Sequence, residues 1–160
     1  MKPESLAARL GERLQARGLM VATAESCTGG WIAKRLTDVP GSSAWFDRGF
    51  VSYSNAAKHD MLGVPDDLMT RHGAVSEAVA RAMAAGAAAR SRATVTIAVT
   101  GIAGPGGGSA EKPVGTVWFA WQVEGEQRAE CRHFPGGRDE VRRATVTHAL
   151  EALLQWMEDD

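Results

Sequence analysis

The sequence predicts an α/β protein: a single-domain α/β/α sandwich with a mixed, mostly parallel sheet and a late β-hairpin. Three observations carry that expectation. Helical and strand patterns alternate early in the chain, as they do where βαβ units form. The runs "LMVATA" and "ATVTIAVT" are apolar or β-branched at nearly every position, the mark of strands buried on both faces. Later, "TVWFAWQV" and "RAECRHF" flank Glu124-Gly125-Glu126-Gln127 and read as a hairpin.

Each element has its own signal. Leu6, Leu10 and Leu14 share one face at i, i+4 spacing and Gly18 suits a C′ position, so an amphipathic helix spans 4–17. The strand "LMVATA" covers 19–24, and Gly29-Gly30 leads into a short helix, "WIAKRL", stopped by "DVPGSS". "FDRGFVSYS" carries an alternating strand, after which Ser54 caps the helix "NAAKHDML" and Gly63 ends it. Pro65 opens another turn or short helix. Ser76 and Glu77 start an Ala-rich helix, about 77–90, whose small side chains suit close packing on a sheet. A strand at 93–100 precedes the loop "GIAGPGGGSAEKPVG" (101–115), and loops of that length are usually functional or disordered. "DEVRRATVTHALEALLQWM" closes the chain as a helix.

Bulk properties narrow the function classes. The 160 residues fit one domain, 1–160, and 44% hydrophobic with 23% charged residues is ordinary for a soluble globular protein. A formal net charge of −1 offers no bulk attraction to nucleic acid or anionic membrane. No stretch approaches the roughly 20 apolar residues of a membrane span. The opening "MKPESLAARLGERLQARG" lacks the unbroken apolar core of a secretory signal. Cys27 and Cys131 are too far apart for a metal knuckle, and His59, His72, His133 and His148 have no metal-ligand spacing. The expectation is a cytoplasmic protein with reduced thiols and no metal, cofactor, nucleic-acid or membrane partner.

The chemistry concentrates in four places. "ESCTGG" puts Ser26, Cys27 and Thr28 before Gly29 and Gly30 at a strand-to-helix turn, where free N–H groups attract anions. Two readings compete: an active-site turn, or Ser26 or Thr28 simply capping the helix. The turn is not a P-loop, because G-x-x-x-x-G-K-[ST] is absent, and Gly29 stands where S-x-x-K needs lysine. In "YSNAAK", Lys58 falls in the first turns of a helix, where positive charge is disfavoured. A lysine kept neutral there can serve as a general base for a serine hydroxyl. Thr100 ends a central strand and begins "TGIAGPGGG", with Gly101 and Gly104 placed where open α/β sheets bind ligands. In "FPGGRDEVRR", Arg138 suits a bidentate grip on phosphate or carboxylate, with Arg142 and Arg143 one turn on. Cys27, at a helix N-terminus, is a rival nucleophile. Trp118 and Trp121 fill core and sheet faces.

The stretches "TAESCTGGWIA", "GSSAWFDRGFVSYSNAAKHDMLGV", "HGAVSEAVA", "VTGIAGPGGGSAEKPVGTVWFA" and "FPGGRDEVR" together resemble the CinA C-terminal domain family. The likeness is greatest to its stand-alone nicotinamide-nucleotide amidases (PncC type) and runs from about residue 4 to the closing helix. The resemblance implies hydrolysis of the carboxamide of nicotinamide mononucleotide to nicotinate mononucleotide and ammonia, in NAD recycling. It also implies a serine nucleophile worked by a lysine, which map onto Ser26 and Lys58. Tyr53 falls at the motif's tyrosine as a tuning and relay group, and Thr100 and Arg138 fall at polar positions of the site. Backbone N–H groups at Cys27, Thr28, Gly29 and Gly30 are the expected oxyanion donors. The 101–108 loop and Arg138 are expected to take the 5′-phosphate. The partner is then a small molecule, with a homo-oligomer expected. Three rivals remain: a non-catalytic nucleotide-binding or regulatory module of the competence/damage-inducible type, a direct role on DNA, and a cysteine amidase using Cys27.

Overall fold

The computed structural model describes residues 2–159. Within them five strands form one sheet in the order β2-β1-β3-β4-β5. These are β1 Val21–Glu25, β2 Phe46–Val51, β3 Val95–Gly101, β4 Thr116–Val123 and β5 Glu126–His133. β1 pairs in parallel with β2 and β3, whereas β4 is antiparallel to β3 and to β5. So β4 runs against the other described strands, and the sheet is mixed as expected. The helices are α1 Pro3–Ala16, α2 Trp31–Thr37, α3 Asn55–Leu62, α4 Asp66–His72, α5 Glu77–Ala89 and α6 Arg138–Asp159. A 3-10 turn, Ser42–Ala44, lies outside the sequence expectation.

Alternation along the strands divides the core between two helix layers. Val21, Ile97, Val99 and Phe119 face α1, α2 and α6, where Leu10, Leu14, Ile32, Leu150 and Leu153 close over them. Ala24, Ala98 and Ala120 face α5, α3 and α4. Small strand residues opposite an Ala-rich helix allow a close approach, and Thr96 Oγ1 reaches across to donate to the Ala84 carbonyl at 2.9 Å.

Local chemistry explains the helix ends. Ser54 Oγ accepts the Ala57 amide at 3.0 Å and Ser76 Oγ accepts that of Val79 at 3.3 Å, so both expected caps form. Glu124 and Gly125 both take positive φ, 50° and 89°. The hairpin therefore turns on two residues rather than four, as a type I′ geometry does.

The path of the chain decides where a ligand fits. From β1 it passes through α2 to β2 on one side, and through α3 to α5 it returns to β3 on the other. Such a reversal opens a crevice at the strands' carboxyl ends. Ser26 and Cys27 follow β1 there, and Thr100 and Gly101 close β3.

Candidate active site

The turn after β1 is built around Glu25. Its carboxylate is 1% exposed and accepts the Thr28 hydroxyl at 2.5 Å and the Ile32 and Ala33 amides at 2.8 and 2.9 Å. These contacts overturn the capping expectation. Neither Ser26 nor Thr28 caps α2, whose N-cap position is Gly30 with no side-chain bond of its own. The first-turn amides go instead to the carboxylate one residue before Ser26. Burial raises the Glu25 pKa, and the bonds from Thr28 and the amides oppose that rise.

Capping by Glu25 leaves the Ser26 hydroxyl available. Lys58, in α3, is only 2% exposed, and its Nζ lies 3.0 Å from Ser26 Oγ and 3.0 Å from the Tyr53 carbonyl oxygen. Ser26 Oγ is itself 3.3 Å from that carbonyl. Both of these acceptors are neutral. Loss of water around Lys58 lowers its pKa, with a smaller opposing contribution from Cys27. Desolvation is the leading cause of the depression.

Tyr53 joins the pair in an unexpected way. Its side chain is 59% exposed, and its hydroxyl meets Arg138 Nη2 at 3.3 Å, so the backbone carbonyl reaches Lys58 and Ser26. The phenol thus meets Arg138, where the resemblance implied a tuning and relay contact with the Ser26 and Lys58 pair. Cys27 is buried beside Ser26, and burial pushes its thiol up to about 12. A thiol held protonated at neutral pH is a poor nucleophile, which favours Ser26.

A cavity of about 220 Å³ opens over this pair, with Thr100, Gly101, Asn55 and Arg138 on its walls. Thr100 Oγ1 donates to the Ala74 carbonyl at 2.9 Å, tying the segment before α5 to the end of β3. Arg138 Nη1 donates to the Gly104 carbonyl at 2.9 Å. Its two neighbours are placed elsewhere. Arg142 holds the Cys27 and Thr28 carbonyls at 3.0 and 3.2 Å, and Arg143 pairs with Asp139. Ser26 and Cys27 line the cavity, and the next residues, Thr28, Gly29 and Gly30, line a depression beside Trp31 and Arg142.

Sequence reasoning passed over Glu25 and Asn55, and it named Arg142 only as a neighbour of Arg138, not as a partner of the Ser26 turn. Glu25 carried a readable signal: an acid directly before a polar turn whose following helix lacks a cap. Asn55 sits within "YSNAAK", but only the fold turns it toward the cavity. Among the described residues, no group of three or more His, Cys, Asp or Glu is arranged to hold a metal ion. No helix there is long and apolar enough to cross a membrane.

Known proteins resemble this chain over nearly its whole length. A nicotinamide-nucleotide amidohydrolase PncC of Escherichia coli (strain K12) is 56% identical over 153 residues, covering 94% of this chain and 92% of its own. A protein of the same name from Pseudomonas putida is 56% identical over 151 residues, covering 94% of each. The crystal structure of competence/damage inducible protein CihA from Agrobacterium tumefaciens superposes with a TM-score of 0.92 at 55% identity, over 96% of this chain and 94% of that one. Residues 3–157 match the CinA C-terminal domain. On both the match and these identities, the chain belongs to the CinA C-terminal domain family.

Proposed function

We propose that this chain is a nicotinamide-nucleotide amidohydrolase, converting the carboxamide of nicotinamide mononucleotide to a carboxylate with release of ammonia. One observation supports it above the others: a buried Lys58 amine 3.0 Å from Ser26 Oγ, held by neutral oxygens alone. The names of the E. coli and P. putida relatives support the choice of substrate.

An amide is a poor electrophile, so a covalent route divides its hydrolysis into two easier steps. Neutral Lys58 takes the Ser26 proton as Oγ bonds the carboxamide carbon, and the carbonyl oxygen becomes an oxyanion. Lys58 then returns the proton to the leaving nitrogen, the C–N bond breaks and ammonia departs. Water, deprotonated by the same amine, attacks the ester and frees the acid and Ser26. The Tyr53 carbonyl orients the amine throughout. The substrate's cationic pyridinium ring disfavours a protonated Lys58 and so favours the base form.

Cavity size agrees with this substrate. At about 220 Å³ it is smaller than a typical small-molecule pocket of roughly 300–1,000 Å³. It suits the nicotinamide end, with the phosphate outside at Arg138. The reading includes a single-domain enzyme of the cytoplasm that acts without nucleic acid in pyridine nucleotide recycling. Self-association is also part of it, since Val51, Tyr53 and Met61 expose apolar surface.

Ammonia release from nicotinamide mononucleotide tests the proposal, using wild type, Ser26→Ala, Lys58→Ala and Cys27→Ala with chelator present. Turnover by wild type and Cys27→Ala alone is the expected result. Binding of the nucleotide by wild type without ammonia release would replace the enzyme with a binding module.

A further inference from the structure

We infer that Arg142 is a positioning residue for the Ser26 turn. Its guanidinium fork fixes the Cys27 and Thr28 carbonyls so that the Cys27 and Thr28 amides of the turn serve as oxyanion donors. The inference rests on the hydrolase reading above.

Most amides of the turn already have a partner elsewhere in the chain. Ser26 N–H donates to the Val99 carbonyl, Gly29 N–H to that of Ser26 and Trp31 N–H to that of Thr28. Ile32 and Ala33 donate to Glu25, which the Gly30 amide also faces. Among the described residues, the Cys27 and Thr28 amides donate to no other residue, and that of Cys27 faces its own thiol. Two of the four expected oxyanion donors, those of Gly29 and Gly30, are therefore already engaged.

Arg142 acts on the two that remain. In a planar trans peptide the N–H points opposite to the C=O of the same unit. Arg142 Nε on Cys27 O at 3.0 Å therefore sets the direction of the Thr28 N–H. The Ser26 carbonyl, held by the Gly29 amide at 3.1 Å, sets that of Cys27 in the same way. Arg142 Nη2 on Thr28 O at 3.2 Å fixes the next unit, so adjacent carbonyls share one rigid fork. The turn needs such an anchor, because Gly29 and Gly30 take φ values of 60° and 104° and carry no side chain to restrain them. A cation on a carbonyl also polarises the peptide and strengthens its N–H as a donor. The fork is steadied in turn by Trp31, whose ring centroid lies 5.6 Å from the guanidinium carbon.

The test compares wild type with Arg142→Met, Arg142→Lys and Arg142→Ala, using Arg17→Met as the control, because Arg17 pairs with Glu124 at the opposite end of the sheet. Two readouts are followed. One is ammonia release from nicotinamide mononucleotide. The other is labelling by a fluorophosphonate, in which Ser26 Oγ bonds phosphorus, fluoride leaves and Lys58 takes the hydroxyl proton. Arg142→Met is expected to lose about 10²-fold in kcat and in kcat/KM together, the size of one lost oxyanion donor. The pH midpoint should stay in place, because Lys58 is untouched. Arg142→Lys should recover little, and guanidinium ion in the buffer should partly restore Arg142→Ala. Restoration separates a positional loss from a loss of fold.

Wild-type kcat in Arg142→Met, or a defect confined to KM, overturns the inference; the latter would make Arg142 a substrate-phosphate ligand. If wild type labels at Ser26 but releases no ammonia, the substrate reading fails and the labelling rates alone decide on Arg142. A wild type that does neither overturns both.

Discussion

Lys58 Nζ and Ser26 Oγ stand 3.0 Å apart beneath the mouth of a cavity, and the amine has the Tyr53 carbonyl, not a carboxylate, as its second partner. A lysine buried among neutral oxygens is penalised when charged, and the depressed pKa follows from that. Catalysis through this amine needs its unprotonated form. The rate should therefore rise about tenfold per pH unit on the acid side and level off at a midpoint below 10.5. Measuring kcat/KM against pH checks it, and a pH-independent rate would remove Lys58 as the base.

The same shift has a consequence for stability. The folded state disfavours the ammonium form, so Lys58 costs stability at every pH below its folded pKa. That cost is relieved as pH rises from the folded value toward 10.5, above which both states are neutral. Lys58→Met keeps the bulk of the side chain without the charge. Its melting temperature relative to wild type should be highest below the folded pKa and fall through that window, while its activity is absent.

Tyr53 offers a sharper discrimination, because the structure uses its backbone where the sequence suggested its phenol. The hydroxyl contacts Arg138 at the cavity mouth, and the carbonyl holds the Lys58 amine. Tyr53→Phe should therefore retain kcat within about threefold and affect mainly KM, through a loosened Arg138. Arg138→Met should raise KM far more for the mononucleotide than for the riboside, which lacks the phosphate. Steady-state kinetics on both substrates decides the matter, and a hundredfold fall in kcat for Tyr53→Phe would restore the phenol to the chemistry.

The layers, the two buried strands and the hairpin were legible because each rests on local pattern. "ATVTIAVT" can hardly be other than a buried strand, and the Ala-rich helix matches the small side chains of the face it covers. Ser26 and Lys58 were legible as types in suggestive places. Their meeting was legible only through the family resemblance, because 32 residues separate them and only the β2-β1-β3 order brings them together. Glu25 escaped because capping is usually sought at the N-cap residue, whereas this carboxylate reaches its amides from seven and eight residues upstream. The three C-terminal arginines are alike in sequence. Their division of labour follows from helix phase on α6, which presents Arg138 to the cavity, Arg142 to the turn and Arg143 to Asp139.

Lys58 can be displaced from a distance without touching the site. Gly86 of α5 packs against the Leu62 backbone at the end of α3, the helix that carries Lys58. A Cβ at Gly86 would overlap the Leu62 carbonyl oxygen and lie 2.9 Å from its carbonyl carbon and 3.1 Å from its Cβ. Backbone cannot swing aside as a flexible side chain can, so Gly86→Ala must separate the two helices. Alanine's better helix propensity offsets at most about 1 kcal/mol of that strain. Overpacking of this kind costs about 1–3 kcal/mol, and in a domain of this size each kcal/mol lowers Tm by roughly 2–4 °C. Because α3 moves with Lys58 attached, the loss of kcat should exceed what the unfolded fraction explains. Calorimetry and kinetics well below Tm on the same preparation would show it. An unchanged kcat in a destabilised Gly86→Ala would mean that α3 yields at Leu62 while Lys58 stays fixed by Ser26 and the Tyr53 carbonyl.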